Sequence, residues 1–207
     1  MHYLFGYGSL INKRSRDATY SHDGAWHPVM VHGFSRSWTL EDTERKATAV
    51  AIQREQGTQT NGVLVEIDEH ALPHFDQREW HYHRVEVDND DITFMEPWSL
   101  PEGSVVYAYV YNDKFKDSGT FPITQTYLDL IIKGCLDVSE EFAKQFFETT
   151  NGWERLIVQD RESFWYPRNY SENEFTEQID AFLARVRPEL LQCRVDPQTC
   201  RAKLASS

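Results

Sequence analysis

Cysteine is scarce in this chain: Cys135, Cys193 and Cys200 are all there is among 207 residues. None stands in C-x-x-C spacing. Neither a disulfide framework nor a zinc site is indicated; a Cys193–Cys200 pair in the tail is the alternative to a reducing compartment, which is the simpler reading. Basic runs are missing as well, since no stretch holds more than two consecutive Lys or Arg. The formal charge is −12 and the pI is near 5.1, which leaves no basic face for general nucleic-acid binding. No apolar run approaches the roughly 18 residues of a membrane-spanning helix. The start, Met1-His2-Tyr3-Leu4-Phe5, has neither the basic opening nor the apolar stretch of a secretory signal. A cytoplasmic protein without membrane or nucleic-acid partners is expected. Several catalytic signatures are absent too. There is no third glycine for G-x-G-x-x-G, no G-K-[ST] of a phosphate loop, no H-E-x-x-H and no G-x-S-x-G.

What the chain does have is aromatic residues, at 14%, and an apolar fraction of 40%, enough for a core. The first half reads as strands. Residues 3–7 form a short buried run that breaks at Gly6-Tyr7-Gly8-Ser9. Residues 26–40, interrupted by Pro28 and Gly33, read as one bent strand or two short ones. Thr48 to Gln53 and Gly62 to Ile67 are further strands, and the polar, Gly-containing stretch from Arg54 to Asn61 reads as a hairpin connection. Asp68 caps a short helix over Glu69 to Gln77. Tyr82 to Val87 alternates with period two. Val105 to Tyr111 is apolar on both faces, which predicts a central strand.

After residue 120 the period becomes helical. Tyr127, Leu128, Ile131, Ile132 and Cys135 share one helix face ending near Gly134. Phe142, Phe146 and Phe147 mark a second helix, started by Asp137 or Ser139. A third begins at the capping pattern Ser171-Glu172-Asn173-Glu174 and ends before Pro188. Residues 189–207 are polar and are expected to pack loosely. Strands first and helices later predict an α+β fold: a small mixed or mostly antiparallel β-barrel with helices packed against it.

Two segments carry candidate chemistry. In Phe5-Gly6-Tyr7-Gly8-Ser9-Leu10, two glycines flank a tyrosine at the end of a strand. Successive amides in such a turn can converge on a carboxylate or a developing oxyanion, with hydroxyls from Tyr7 and Ser9. An ordinary strand-ending turn reads equally well. In Asp76-Gln77-Arg78-Glu79-Trp80-His81-Tyr82-His83-Arg84, Glu79 beside Trp80 and Tyr82 suits a proton carrier. A surface ion-pair cluster, such as Glu79 with Arg84, suits it too. The histidines raise a metal question: His70 and His74 are spaced i, i+4, and His81 and His83 alternate. Without H-E-x-x-H or neighbouring cysteines they read as surface or pocket-rim residues, and no metal is expected.

Together the two segments resemble the γ-glutamylcyclotransferase-like family, which includes the AIG2-like and ChaC groups. FGYGSL at 5–10 looks like the family's substrate-binding turn. Asp76-Gln77-Arg78-Glu79, followed by Tyr82 and Arg84, looks like its D-x-x-E segment with the catalytic glutamate. Gly33-Phe34-Ser35-Arg36-Ser37-Trp38 and Thr60-Asn61-Gly62-Val63-Leu64-Val65-Glu66-Ile67-Asp68 resemble its inner strands. The run from Tyr127 to Leu136 resembles the helix with a late pocket tyrosine. The family commonly has Gly after the glutamate. Here Trp80-His81 follows, and a bulky side chain there would reshape the pocket.

The resemblance covers roughly residues 3–136. It implies a γ-glutamylcyclotransferase-like domain over 1–136, and the helical and polar patterns beyond it predict a helical extension over 137–188 packed on the same domain and a polar tail over 189–207. It also implies a cofactor-free enzyme acting on a small γ-glutamyl compound. The glutamyl α-amine attacks its own γ-carbonyl, forming 5-oxoproline and releasing an amine or amino acid. Glu79 would be the acid/base, with Tyr7, Gly8, Ser9, Leu10 and Tyr127 binding the substrate. A γ-glutamylamine cyclotransferase and a non-catalytic small-ligand module on the same fold are the alternatives. A buried carboxylate gives no advantage to a module that binds an anion.

Overall fold

The apolar run at the N-terminus becomes strand β1, His2–Gly6, and its composition is explained by its neighbours. A computed structural model describes residues 1–21, 24–111, 119–165 and 173–205. In it β1 lies between β3 (Ala47–Ile67), antiparallel, and β6 (Val105–Tyr111), parallel. Both ladder edges of β1 are therefore paired. Tyr3, Leu4 and Phe5 are buried on both faces, as an inner strand requires. The central position expected for Val105–Tyr111 holds, because β6 also pairs with β4 (Tyr82–Val87).

The longest ladder joins β3 to β2, Trp26–Asp42, as an antiparallel pair. The sequence reading of residues 54–61 as a hairpin connection is corrected here. Gln59 pairs with His32 and Arg54 with Phe34, so both flanks run antiparallel to the same strand and the chain never reverses. The extra residues form an irregular bulge, with Gly57 at φ 84°. Their polarity reflects exposure rather than a turn. The short strands β5 (Ile92–Phe94) and β8 (Thr150–Asn151) pair with β2. On the other side of β3, β7 (Ile123–Thr124), β9 (Ile157–Val158) and β10 (Arg194–Val195) extend the sheet. The result is one large, mostly antiparallel sheet with helices against it, an α+β fold.

The helices follow their caps. Asp68 accepts the amide of Ala71 and starts a 3₁₀ turn that leads into α2, Leu72–Arg78. Helix α3, Gln125–Val138, carries the stripe of Leu128, Ile131, Ile132 and Cys135 into the core. It runs past Gly134, where the sequence had suggested an end. That glycine is a contact point instead: a Cβ there would lie 2.7 Å from the Asn12 backbone nitrogen. Ser139, rather than Asp137, caps α4 (Glu140–Glu148) through the amide of Phe142.

Helix α5 spans Asn173–Val186. Ser171 and Glu172 of the capping pattern, and Tyr166-Pro167-Arg168, lie outside the described residues. The tail is not loose over 188–205. Helices α6 (Pro188–Gln192) and α7 (Pro197–Ala205) flank β10, with Leu190 and Cys200 buried. All three cysteines are free thiols. Among the described residues no helix is long and apolar enough to cross a membrane.

Candidate active site

At Gly6 the pairing of β1 with β3 stops. The chain turns through Tyr7 and Gly8 into a 3₁₀ turn, Ser9–Ile11, closed by Ile11 N–H to the Gly8 carbonyl at 2.9 Å. Helix α1, Lys13–Asp17, follows and is capped by Asn12. Gly8 is required by contact: a Cβ would meet Val50 Cγ2 at 2.7 Å and Tyr127 Oη at 3.4 Å. The N–H groups of Gly8, Ser9 and Leu10 meet no backbone carbonyl among the described residues. They are donors at the start of a turn, as helical starts leave them.

A buried cation supports this turn from behind. Arg36, on β2, is fully buried. Its Nη1 donates to the carbonyls of Tyr7 (2.9 Å) and Asn61 (2.7 Å). Its Nη2 reaches Asn61 Oδ1, Thr149 Oγ1 and the Phe146 carbonyl, and its Nε reaches Thr150 Oγ1. Burial pulls its pKa down to about 9, so it is still a cation at neutral pH. Hydrogen-bonding to the Tyr7 carbonyl polarises the Tyr7–Gly8 peptide, whose N–H belongs to Gly8.

Glu79 ends α2. Its amide donates to the Phe75 carbonyl at 2.8 Å, and its carbonyl accepts from the Tyr82 amide at 2.9 Å. The sequence had offered Glu79 with Arg84 as an ion pair, and the structure re-sorts those charges. Arg84 forms a fork with both oxygens of Asp76, at 2.9 and 2.8 Å, and Tyr109 Oη donates to Asp76 Oδ1 at 2.8 Å. This pins α2 to β4 and β6. Glu79 instead accepts from Arg78 Nε at 2.7 Å. Trp80 does not enter the pocket. The residue is 65% exposed and its ring lies against that of His81, tilted by 35° with centroids 3.5 Å apart.

The six residues assigned to catalysis and substrate binding from the sequence line one cleft: Glu79, Tyr7, Gly8, Ser9, Leu10 and Tyr127. Tyr127 comes from the first turn of α3 and packs edge-on to Trp38 at 5.8 Å. Phe5, Val50, Tyr82 and Tyr109 complete the walls; Phe5 and Tyr82 stood in the two segments singled out from the sequence, and Val50 and Tyr109 were missed. Strand alternation placed these residues on faces but could not say which face meets Glu79. Tyr7 does not donate into the cleft as expected, because its hydroxyl donates to the Tyr109 carbonyl at 2.6 Å. Burial raises the Tyr7 pKa well above its usual value, and the nearby Glu79 and Tyr127 add to this, so it stays a neutral phenol.

With these side chains in place the cleft encloses about 30 Å³. A wider groove of about 480 Å³, lined by Lys46, Trp165 and Arg201 among others, shares no residue with the cleft. Among the described residues, no group of three or more His, Cys, Asp or Glu is placed to hold a metal ion. The arrangement sets a carboxylate against a turn of amide donors, within aromatic walls. Such a site can move one proton and stabilise one negative oxygen.

Comparison with known proteins places the fold and the family. The fold is shared with a structure titled "Gamma-glutamyl cyclotransferase" at 14% identity and a TM-score of 0.58, over 79% of this chain and 97% of that one. An uncharacterized protein from Homo sapiens matches at 14% identity and TM-score 0.57, over 79% and 96% of the two chains. YkqA from Bacillus subtilis matches at 22% identity and TM-score 0.53, over 70% of this chain and 52% of its own. No curated protein matches in a sequence search. Residues 4–128, which contain the end of β1, the glycine turn, Glu79 and Tyr127, match the family described as "Gamma-glutamyl cyclotransferase, AIG2-like", and the chain belongs to that family.

Proposed function

We propose that this protein is a cyclotransferase acting on a small γ-glutamyl compound. The observation that carries the proposal is the convergence of Glu79 and the Tyr7–Leu10 turn on one cleft. The α-amine of the glutamyl unit attacks its own γ-carbonyl. A C–N bond forms, the carbonyl oxygen becomes an oxyanion, and the bond to the departing amine then breaks. The products are 5-oxoproline and a free amine or amino acid. Nucleophile and electrophile share one molecule, so the protein needs only to fold the substrate and carry protons.

An α-amine is largely protonated at neutral pH, so a base must take its proton. Glu79 takes that proton and returns it to the departing nitrogen, so the carboxylate is regenerated in each turnover. The N–H groups of Gly8, Ser9 and Leu10, with the Ser9 hydroxyl, supply donors for the α-carboxylate or the oxyanion. The phenol of Tyr127 bounds the opposite wall. No covalent intermediate is required.

The test is incubation with a panel of γ-glutamyl amino acids, γ-glutamyl amines and glutathione, scoring 5-oxoproline by mass. Release from at least one class is expected. Binding without release from any compound would replace the enzyme with a ligand-binding module on this fold.

A further inference from the structure

We propose that Arg78 is a positioning residue that sets the direction of proton traffic in the cleft, holding Glu79 as an ionised acceptor and leaving Ser9 as a donor. The proposal rests on the cyclotransferase reading for its kinetic consequences, but its core is a property of the protein without substrate. Adjacent helical residues point about 100° apart and do not normally meet. Arg78 is the last residue of α2, however, and Glu79 leaves the helix at φ −100°, ψ 33°. The two side chains can then converge, with Arg78 Nε 2.7 Å from Glu79 Oε1.

The guanidinium is only 4% exposed and its other donors are committed. Nη1 donates to the Ser15 carbonyl at 2.7 Å and to the Thr19 hydroxyl. Nη2 donates to Ser15 Oγ at 3.0 Å and to Ser9 Oγ at 2.9 Å. Helix α1 and the residues just after it therefore clamp the group, so it cannot swing out to bind a substrate carboxylate. What it can do is act on two neighbours at once.

The first is Glu79. The groups facing it across the cleft are phenols: Tyr7 from the turn, Tyr127 from α3, Tyr82 from β4 and Tyr109 from β6. Burial raises the Tyr7 and Tyr109 phenols, so they offer no charge. Asp76 stands behind Tyr109 and is paired with Arg84, and Arg36 lies behind the Tyr7 carbonyl. Burial lowers the His81 imidazole, while Asp42 at the end of β2 and Arg45 just after it act on it in opposite directions. Aromatic and aliphatic walls favour the neutral acid, and a cation in contact favours the carboxylate. Arg78 is the cation in contact.

The second neighbour is Ser9. Its oxygen accepts from Arg78, so its own proton is available to another acceptor. Ser9 lines the cleft, where that acceptor is the substrate's carboxylate or oxyanion. One buried fork thus makes one wall an acceptor and the other a donor.

The decisive measurement is a carbon-13 titration of the Glu79 carboxyl, assigned by difference from Glu79→Gln, in the full chain without substrate. In Arg78→Gln the midpoint is expected to rise by about one to three pH units, and in Arg78→Lys, which keeps the charge, to stay within about half a unit. With a γ-glutamyl substrate, Arg78→Lys is expected to lose about 100-fold in kcat through misplacement, with the acid limb of the pH profile unmoved. In Arg78→Gln that limb should move up together with the carboxyl titration. An unmoved midpoint in a folded Arg78→Gln overturns the proposal. If that variant does not fold, wild-type kcat in Arg78→Lys overturns it. Should the wild-type protein release no 5-oxoproline, the cyclotransferase reading fails, while the titration still decides the role of Arg78.

Discussion

Arg78 and Arg161 both meet carboxylates in the interior, and they do so in opposite ways. Arg161 binds Asp129 through Nε and Nη2 at 2.7 and 2.8 Å, and Asp180 through Nη1 and Nη2 at 2.8 and 2.9 Å. Gln125 and Arg194 add donors to the same two acids, at 2.7 and 2.6 Å. Arg78 gives Glu79 only its Nε, and its remaining donors go to neutral oxygens. An acid held on both oxygens by a fork is fixed in place and in charge. An acid that meets its arginine through Nε alone, beside a cleft, is left with an edge that can face a ligand. The network of Arg161 ties α3, α5 and β10 together, and α3 is the helix that presents Tyr127. One cluster thus builds the wall that the other works against.

This contrast can be broken by substitution, and the largest effect belongs to the cleft. Glu79→Gln keeps an acceptor for Arg78 Nε but cannot carry a proton, so kcat should fall at least about 100-fold while the melting temperature barely moves. Near wild-type release of 5-oxoproline by this variant would remove Glu79 from the chemistry.

Arg161→Met should do the reverse. It strands Asp129, whose side chain is fully buried, and should cost about 3–5 kcal/mol of stability in urea unfolding at neutral pH. Burial already pushes the Asp129 carboxyl up against the pull of Arg161 and Gln125. The variant should therefore recover part of its loss in mild acid, where the acid can protonate. A loss below about 1 kcal/mol would show the network to be dispensable.

A smaller effect concerns pH. Burial pushes the Asp180 carboxyl up, but Arg161 and Arg194 outweigh it and hold it at about 2, below its ordinary 3.8. A carboxyl lowered on folding contributes stability above its unfolded pKa and loses it as pH falls through the folded value. The stability difference between wild type and Asp180→Asn should thus be constant above about pH 4 and shrink toward pH 2. A difference that does not change with pH would contradict this pairing. The smallest effect is expected at Trp80, which points to solvent. Trp80→Ala should shift stability by no more than about 0.5 kcal/mol, measured by thermal melting.

Much of this was legible in the sequence where the information is local. The alternation of Tyr82–Val87, the two apolar faces of Val105–Tyr111, the stripe on α3 and the cap at Asp68 all depend on residues a few positions apart. The order of the FGYGSL and D-x-x-E segments pointed to the family now matched over residues 4–128. The bulge over 54–61 was misread because its cause is distant: both flanks pair with β2, and a polar stretch looks the same in a bulge and in a turn. The helix end at Gly134 was misread for a similar reason, since that glycine answers to Asn12 rather than to a turn. Arg78 was not among the residues assigned to the site, because neighbours along a regular strand or helix point apart. The helix ends just there, and the direction of its side chain depends on that.

By itself, then, the sequence determined most of the elements up to α5, the α+β class, the family and most of the residue types of the cleft. Each of these follows from short-range periodicity or from the order of short motifs. The tertiary structure decided which charges meet. It gave Asp76 to Arg84, Glu79 to Arg78 and the Tyr7 hydroxyl to the Tyr109 carbonyl. The physical reason is that a charged side chain takes its partner from whatever packing brings within about 3 Å, and that distance is set by strand register and helix ends rather than by neighbours along the chain.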